Sequence, residues 1–213
     1  MGSLRRHPAL RLAVSPGGCS PELAALLALQ RAEEPETAVL LSETPHNAVI
    51  DDLDAGRCDL GLTWQSPAGL RRLQSSVLWQ DELALAVPTR SPLLAYATIP
   101  LQELRCYDLL QWCSSGSPEL EQRITTCMPA PKRASSFELM ATLVAAGYAV
   151  GIAPRSQILH GRSWGIIMRQ FAHDSYSIHT HLHYLQNPTP AIERFATRAT
   201  QLLSRIQKDA YGL

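Results

Sequence analysis

The chain carries no excess of either charge: 19 basic and 19 acidic residues cancel across 213 positions. A nucleic-acid surface needs a basic excess or patch, and the densest basic runs, Arg5-Arg6 and Arg71-Arg72, are too short to make one. No apolar run approaches the ~18 residues that would cross a bilayer. The start, "MGSLRRHPAL", has no hydrophobic signal core, which argues against export. Cysteine is sparse and unpatterned. Cys19, Cys58, Cys106, Cys113 and Cys127 are odd in number and show no CxxC spacing, so reduced cytosolic thiols fit better than a disulfide framework or a zinc site. Signatures of catalysis are missing too: there is no GxSxG, no HExxH and no GxxxxGK[ST] loop. Asp51, Asp52 and Asp54 cluster on one helix and read as a solvated acidic face. These absences point away from an enzyme and from a cofactor. Internal repeats, low-complexity segments and heptads are also lacking.

What is present is an apolar share of 46%, enough to fill the core of one large globular unit or of two small lobes. "LRLAV" (Leu10 to Val14) reads as a short strand followed by the turn-rich "SPGGCSP". "ELAALLALQRAEEP" has helical periodicity, with Ser20 as N-cap, Pro21 at the first helical position and Glu22 in the first turn. "TAVLLSE" is a strand. "TPHNAVIDDLDAG" is a helix capped near Thr44 or His46 and closed by Gly56, and "CDLGLTW" is a third strand opened by Asp59. Strand, helix, strand, helix, strand is the signature of βαβ units and a parallel sheet. A strand in "LALAVP" and a proline-marked break near Val87 to Pro92 precede a second α/β series. That series holds a short helix and strand in "LQELRCYDLLQW", a helix in "SPELEQRITTC" capped by Ser117, a helix in "FELMATLVAAG" and a strand in "AVGIAP". "IHTHLHYLQ" alternates as a strand should, and "TPAIERFATRATQLLSRI" is an amphipathic terminal helix capped by Thr189.

The succession "LDAGRCDLGL", "DELALAVPTRSPLL" and "LVAAGYAVGIAP", in that order and with those gaps, closely resembles the effector-binding (regulatory) domain of LysR-type transcriptional regulators, over roughly Leu10 to Ile206. The resemblance implies an α/β fold like that of type 2 periplasmic binding proteins: two Rossmann-like lobes joined by two crossover strands. It implies lobe I at 10–87 plus 185–213, lobe II at 88–184, and a tag or linker remnant at 1–9. Family members carry a winged helix-turn-helix and a linker helix before this domain, and the nine residues before Leu10 hold neither. The "MGS" start fits an excised domain that would reach DNA only through a missing N-terminal domain. A side-by-side antiparallel homodimer is implied, tetrameric in the full-length protein, with helix one and strand two facing the partner's second lobe.

Ligands of open α/β sheets sit beyond the carboxyl ends of the strands, where helix N-termini present free N–H groups. By the resemblance, Ser15 lies in a ligand-contacting loop, and Gly17-Gly18 would let backbone approach a ligand; a plain turn accounts for the same residues. His46 stands where the family usually has Ser or Thr contacting the effector, and serves equally as a surface or capping residue; Asn47 follows it. Trp64 either lines the cleft mouth beside Gln65 or packs in the core. Ser114 and Ser115, beside Cys113, and Ser135 and Ser136 complete the candidates, with Ser136 open to both capping and ligand contact.

"HTHLH" puts His179, His181 and His183 on one strand face. Same-face neighbours lie about 7 Å apart, which disfavours convergence on one metal ion. Cys106, Cys113 and Cys127 invite a redox reading, but nothing in the sequence supplies the cationic surroundings that would lower a thiol pKa. The expectation is a cytoplasmic sensing domain for a small polar or anionic effector, bound between the lobes and reported to DNA-binding domains. The alternative is a solute-binding protein of the same fold. Neither a metal, a cofactor nor a membrane is expected.

Overall fold

The structure is a computed structural model that describes residues 9–64, 72–112, 118–173 and 175–211. The chain forms two compact α/β units. Unit 1 takes the residues up to Trp79 and from His179 onward, and unit 2 is Gln80–Ile178. Both divisions fall inside strands.

Unit 1 begins with β1 (Ala9–Val14), α1 (Pro21–Glu33), β2 (Ala38–Glu43), α2 (His46–Asp54) and β3 (Leu60–Thr63). β1 is central, parallel to β2 on one side and to β3 on the other. The sheet is covered on both faces, which is why "LRLAV" is nearly all apolar rather than alternating. Leu10, Leu12 and Val14 pack with Leu23 and Leu26 of α1, and with Phe195 and Ala199 of the terminal helix. Ala13, between them, turns to the opposite face and packs with Val49 and Leu53 of α2 and with Cys58. α2 lies close on β3: a Cβ on Gly61 would meet Val49 Cγ1 at 2.5 Å. Arg11 on β1 and Asp59 at the opening of β3 are paired at 2.7 Å.

The chain leaves unit 1 through β4 (Leu73–Pro88) and returns through β10 (Ser177–Leu185). β4 is 16 residues long, whereas only its last six, "LALAVP", looked like a strand in the sequence. Its first half, "LQSSVLWQ", mixes polar and apolar residues without alternation and buries only Leu78, so it shows no strand pattern. β10 is antiparallel to β3, with Leu182 opposite Leu62. α6 (Pro190–Tyr211) then packs on α1. Thr189 accepts the Glu193 N–H on its carbonyl at 3.0 Å, at the position expected of the cap.

The α1–α6 contact contains a partly buried ion cluster. Arg198 reaches Glu33 and Glu34 at 2.5 Å and the Gln30 carbonyl oxygen at 2.6 Å, while Arg194 reaches Glu34 at 2.5 Å. Hydrogen bonds from Arg194 and Arg198 hold the Glu34 carboxyl at about 2. An ion pair in such a place stabilises only when its partners are all present.

Unit 2 contains β5 (Thr98–Ile99), β6 (Leu109–Trp112), α3 (Pro118–Cys127), β7 (Lys132–Ala134), α4 (Phe137–Ala145), β8 (Val150–Pro154), α5 (Arg155–His160) and β9 (Ile166–Phe171). β8 is parallel to β6, which is parallel to β7, and the second half of β4 pairs antiparallel with both β8 and β9. Every residue of β8 is buried. α4 covers it closely, because Gly151 leaves room for Met140; a Cβ there would sit 2.8 Å from the Met140 sulfur. Phe137 at the start of α4 meets Trp112 edge-on at 5.4 Å. The sequence reading left β7, β9 and α5 unassigned, since two are short and β9 is half-exposed along its middle.

Helix caps divide into two kinds. Ser20 caps α1 by accepting the Leu23 N–H at 3.2 Å, with Pro21 and Glu22 in the first turn as expected. Ser136 caps α4 in the same way. α2 differs from the expectation of a cap near Thr44 or His46: its cap residue is Pro45, in extended backbone, and no side chain caps the helix. The Thr44 N–H is instead taken by the carbonyl of Val14 at 2.9 Å, and His46 is already the first helical residue. The expected cap of α3, Ser117, lies outside the described residues.

Candidate functional site

At the carboxyl edge of the unit 1 sheet, three strand ends meet. Val14 accepts the Thr44 N–H, and the next residue, Ser15, donates its N–H to the Leu62 carbonyl of β3 at 2.9 Å. This places Ser15 between the start of α2 and the end of β3. The loop after it turns sharply: Gly17 has φ 84°, and Gly18 donates to the Ser15 carbonyl at 2.8 Å. A Cβ on Gly18 would meet Val14 Cγ1 at 2.7 Å, so the second glycine is needed for the close approach of the loop to its own strand.

The Ser15 side chain is 3% exposed, and its hydroxyl has no hydrogen-bond partner among the described residues. A buried hydroxyl left in that state costs about 1–3 kcal/mol, so a partner for it would be stabilising. α2 opens beside it. Pro45 accepts the N–H groups of Ala48 and Val49, whereas those of His46 and Asn47 take no partner among the described residues. The start of α2 is therefore a cluster of unused donors carrying the positive end of the helix dipole. His46 is half-buried, and burial pushes its imidazole below the ordinary value. Asn47 is exposed. Trp64, directly after β3, is buried. Ser15, His46, Asn47 and Trp64 thus belong to one edge of one unit.

Ser135 and Ser136 lie in unit 2, at the start of α4 after β7. Ser135 is exposed. The Ser136 hydroxyl accepts the Leu139 N–H at 3.1 Å, so its capping role is realised. Ser114 and Ser115, with Cys113 and Gln65 beside other candidates, lie outside the described residues.

A feature that sequence reasoning missed is the contact between β3 and β10. Thr63 Oγ1 and His183 Nε2 are 2.8 Å apart and fully buried. The signal was present in "HTHLH", but its partner stands 120 residues away. His183 stacks on His181 at 5.8 Å, and His181 meets His179 edge-on at 6.3 Å. Among the described residues no three His, Cys, Asp or Glu side chains converge to hold a metal ion. Cys58 is buried, and that burial pushes its thiol up to about 11, which disfavours the reactive thiolate. Two open grooves of about 370 Å³ lie elsewhere, one in unit 1 beside Gln74, Gln186 and Thr197, the other in unit 2 beside Arg105, Tyr107 and Lys132. Neither is lined by any of the eight candidate residues. No described helix is long and apolar enough to cross a membrane.

Comparison with known proteins adds the following. The family model described as "LysR substrate binding domain" matches residues 5–204. A search of curated protein sequences found no match. Among solved structures, the effector-binding domain of QuiR in complex with shikimate is similar at 17% identity, with TM-score 0.82 over 93% of this chain and 98% of that one. The BenM effector-binding domain with its effector benzoate is similar at 17% identity and TM-score 0.78, over 94% of each chain. The regulatory domain of MetR, a LysR family regulator from N. meningitidis, is similar at 16% identity and TM-score 0.74, over 95% and 94% of the two chains.

Proposed function

The chain belongs to the family of LysR substrate-binding domains, and from that premise we propose that it captures a small polar or anionic metabolite between its two units and reports the capture to a DNA-binding domain. The family is regulatory and not enzymatic, and the fold is that of type 2 periplasmic binding proteins. The observation that carries the ligand reading is the buried Ser15 hydroxyl, without a partner among the described residues, beside the side-chain-free N-terminus of α2. A carboxylate or hydroxyl placed there would satisfy the serine and the N–H groups of His46 and Asn47 together. Shikimate on QuiR and benzoate on BenM are ligands of that chemistry.

Ser135, Ser114 and Ser115 would supply the contacts from unit 2, and Trp64 a wall from unit 1, while Ser136 stands beside them as the cap of α4. Binding acts as a signal only if the ligand prefers one arrangement of the protein over another. The domain would work in the cytoplasm, as its unpatterned cysteines suit. It would do so as a homodimer: β2 is an edge strand that leaves Leu40 56% and Leu41 47% exposed, a hydrophobic edge that a second copy would cover. A monomer in sedimentation at micromolar concentration would remove the dimer.

The ligand reading is tested by a thermal-shift screen of metabolite carboxylates, shikimate and benzoate included. At least one should raise the melting temperature of the wild type, and Ser15→Ala should lose that shift. Hits that survive unchanged in Ser15→Ala would sink the assignment.

A further inference from the structure

The carboxyl edge of unit 1 is poor in positive charge. The segments that form it, Ser15 to Ser20, Glu43 to Asn47 and Thr63 to Trp64, contain no lysine or arginine. The titratable groups on the elements that meet there are few. After β1 comes Cys19, whose thiol is pushed up by burial and by Glu43. The end of β2 brings the exposed Glu43. α2 carries Asp51, Asp52 and Asp54 beyond its first turn, with Asp52 held by Arg57 at 2.6 Å, and Cys58 and the Arg11–Asp59 pair lie ahead of β3. Among the described residues of those three segments, His46 alone can become a cation.

We propose that His46 is the specificity-determining residue of this edge, taking up a proton from solvent as a carboxylate binds, so that anions are held more tightly in mild acid while neutral analogues are not. The proposal rests on the reading of this edge as the ligand site. In the free protein two features of the geometry favour the neutral imidazole. It is half-buried, and it stands at the positive end of α2, where Pro45 provides no side-chain oxygen to offset the dipole. A carboxylate seated on the His46 and Asn47 N–H groups and the Ser15 hydroxyl reverses that balance, since an adjacent negative charge favours imidazolium. Glu43, by contrast, repels an incoming anion, and one positive charge on His46 offsets it.

The sign follows from linkage. The complex binds a proton more strongly than the free protein does, so affinity rises as pH falls through the histidine pKa of the complex and levels off below that of the free protein. Each unit of difference between the two is worth a factor of ten in affinity. Ordinary carboxylic acids, with pKa about 4, stay ionised throughout that range, so the histidine is the group that titrates.

The experiment is an amide NMR titration of the labelled protein with acetate, benzoate and shikimate, and with benzamide as the uncharged counterpart, at about pH 5.5 and about pH 8 to bracket histidine titration. Wild type should bind the carboxylates roughly fivefold to tenfold more tightly at the lower pH, with benzamide unchanged. His46→Gln keeps a polar side chain of similar reach and should hold the carboxylates with the same weak affinity at both. A pH dependence that persists in His46→Gln, or its absence in wild type, overturns the role of His46 while leaving the site in place. If none of the three carboxylates moves the Ser15 and Asn47 amides at either pH, the site reading itself falls.

Discussion

Each unit contains the same local device, a helix ending in a left-handed glycine and followed by a strand with a second glycine beneath the helix. In unit 1 it is α2, Gly56 at φ 67° and Gly61; in unit 2 it is α4, Gly147 at φ 83° and Gly151. The helices pack alike and begin differently. α4 is closed by Ser136, whose hydroxyl takes the Leu139 N–H, while α2 opens on a proline with its first N–H groups unused among the described residues. Two helices that look interchangeable as core elements therefore present opposite chemistry at their N-termini. The polar Ser-Ser pair before α4, the more conspicuous in the sequence, has one hydroxyl already committed. The plainer "TPHN" before α2 holds the available donors.

The largest break in this comparison strikes unit 1 alone. Glu34→Ala removes the carboxylate that Arg194 and Arg198 share, leaving Arg198 only Glu33, and should cost about 3 kcal/mol, read by chemical denaturation. Amide exchange should rise through α1 and α6 while β6 and β8 keep their protection. In wild type the same cluster sets an acid limit. The folded Glu34 carboxyl lies below its unfolded value of 4.5, at about 2, so its contribution is complete above 4.5 and is lost as pH falls towards 2.

A middle-sized effect tests whether the two glycines are equivalent. Their neighbours say they are not. A Cβ at Gly61 runs into Cγ1 of Val49 at 2.5 Å, on a β-branched side chain stiff at χ1, and also meets Leu53 Cδ1 at 3.0 Å. A Cβ at Gly151 meets the sulfur end of Met140, which can. Gly61→Ala should cost about 2 kcal/mol and Gly151→Ala about half that, and equal melting temperatures would refute the distinction. The smallest effect sharpens the N-terminal contrast. Ser136→Ala should lose about 1 kcal/mol of stability as a cap is removed, with ligand affinity little changed. A large loss of affinity at unchanged stability would return Ser136 to the ligand site.

Much of this was readable in the sequence because its causes are local. Ser20 followed by Pro21 and Glu22 announced the start of α1, and Gly56 and Gly147 announced helix ends, since a residue can be matched to a turn by its own backbone freedom. The alternation of strand and helix likewise announced the α/β class. β4 was half legible: its apolar end showed, while its first half, whose apolar residues do not alternate, follows β10 by backbone pairing that leaves no pattern. The cap of α2 was misread because Thr44 looked available, although the cap position falls one residue later, on Pro45, which has no side-chain oxygen.

The sequence by itself thus determined the order of the longer helices and the buried strands, two glycine stops and the family to which the chain belongs, because those signals lie within a few residues of one another. Tertiary structure alone decided the rest. It brought Arg198 to Glu34 across 164 residues and His183 to Thr63 across 120, and it set Asp81 of β4 against the first turn of α5, where it accepts the Ser156 N–H at 3.3 Å and the Ser156 hydroxyl at 2.6 Å. It also buried the Ser15 hydroxyl without a partner among the described residues. Whether a polar atom is satisfied depends on which distant strand folds over it, and no spacing along the chain records that.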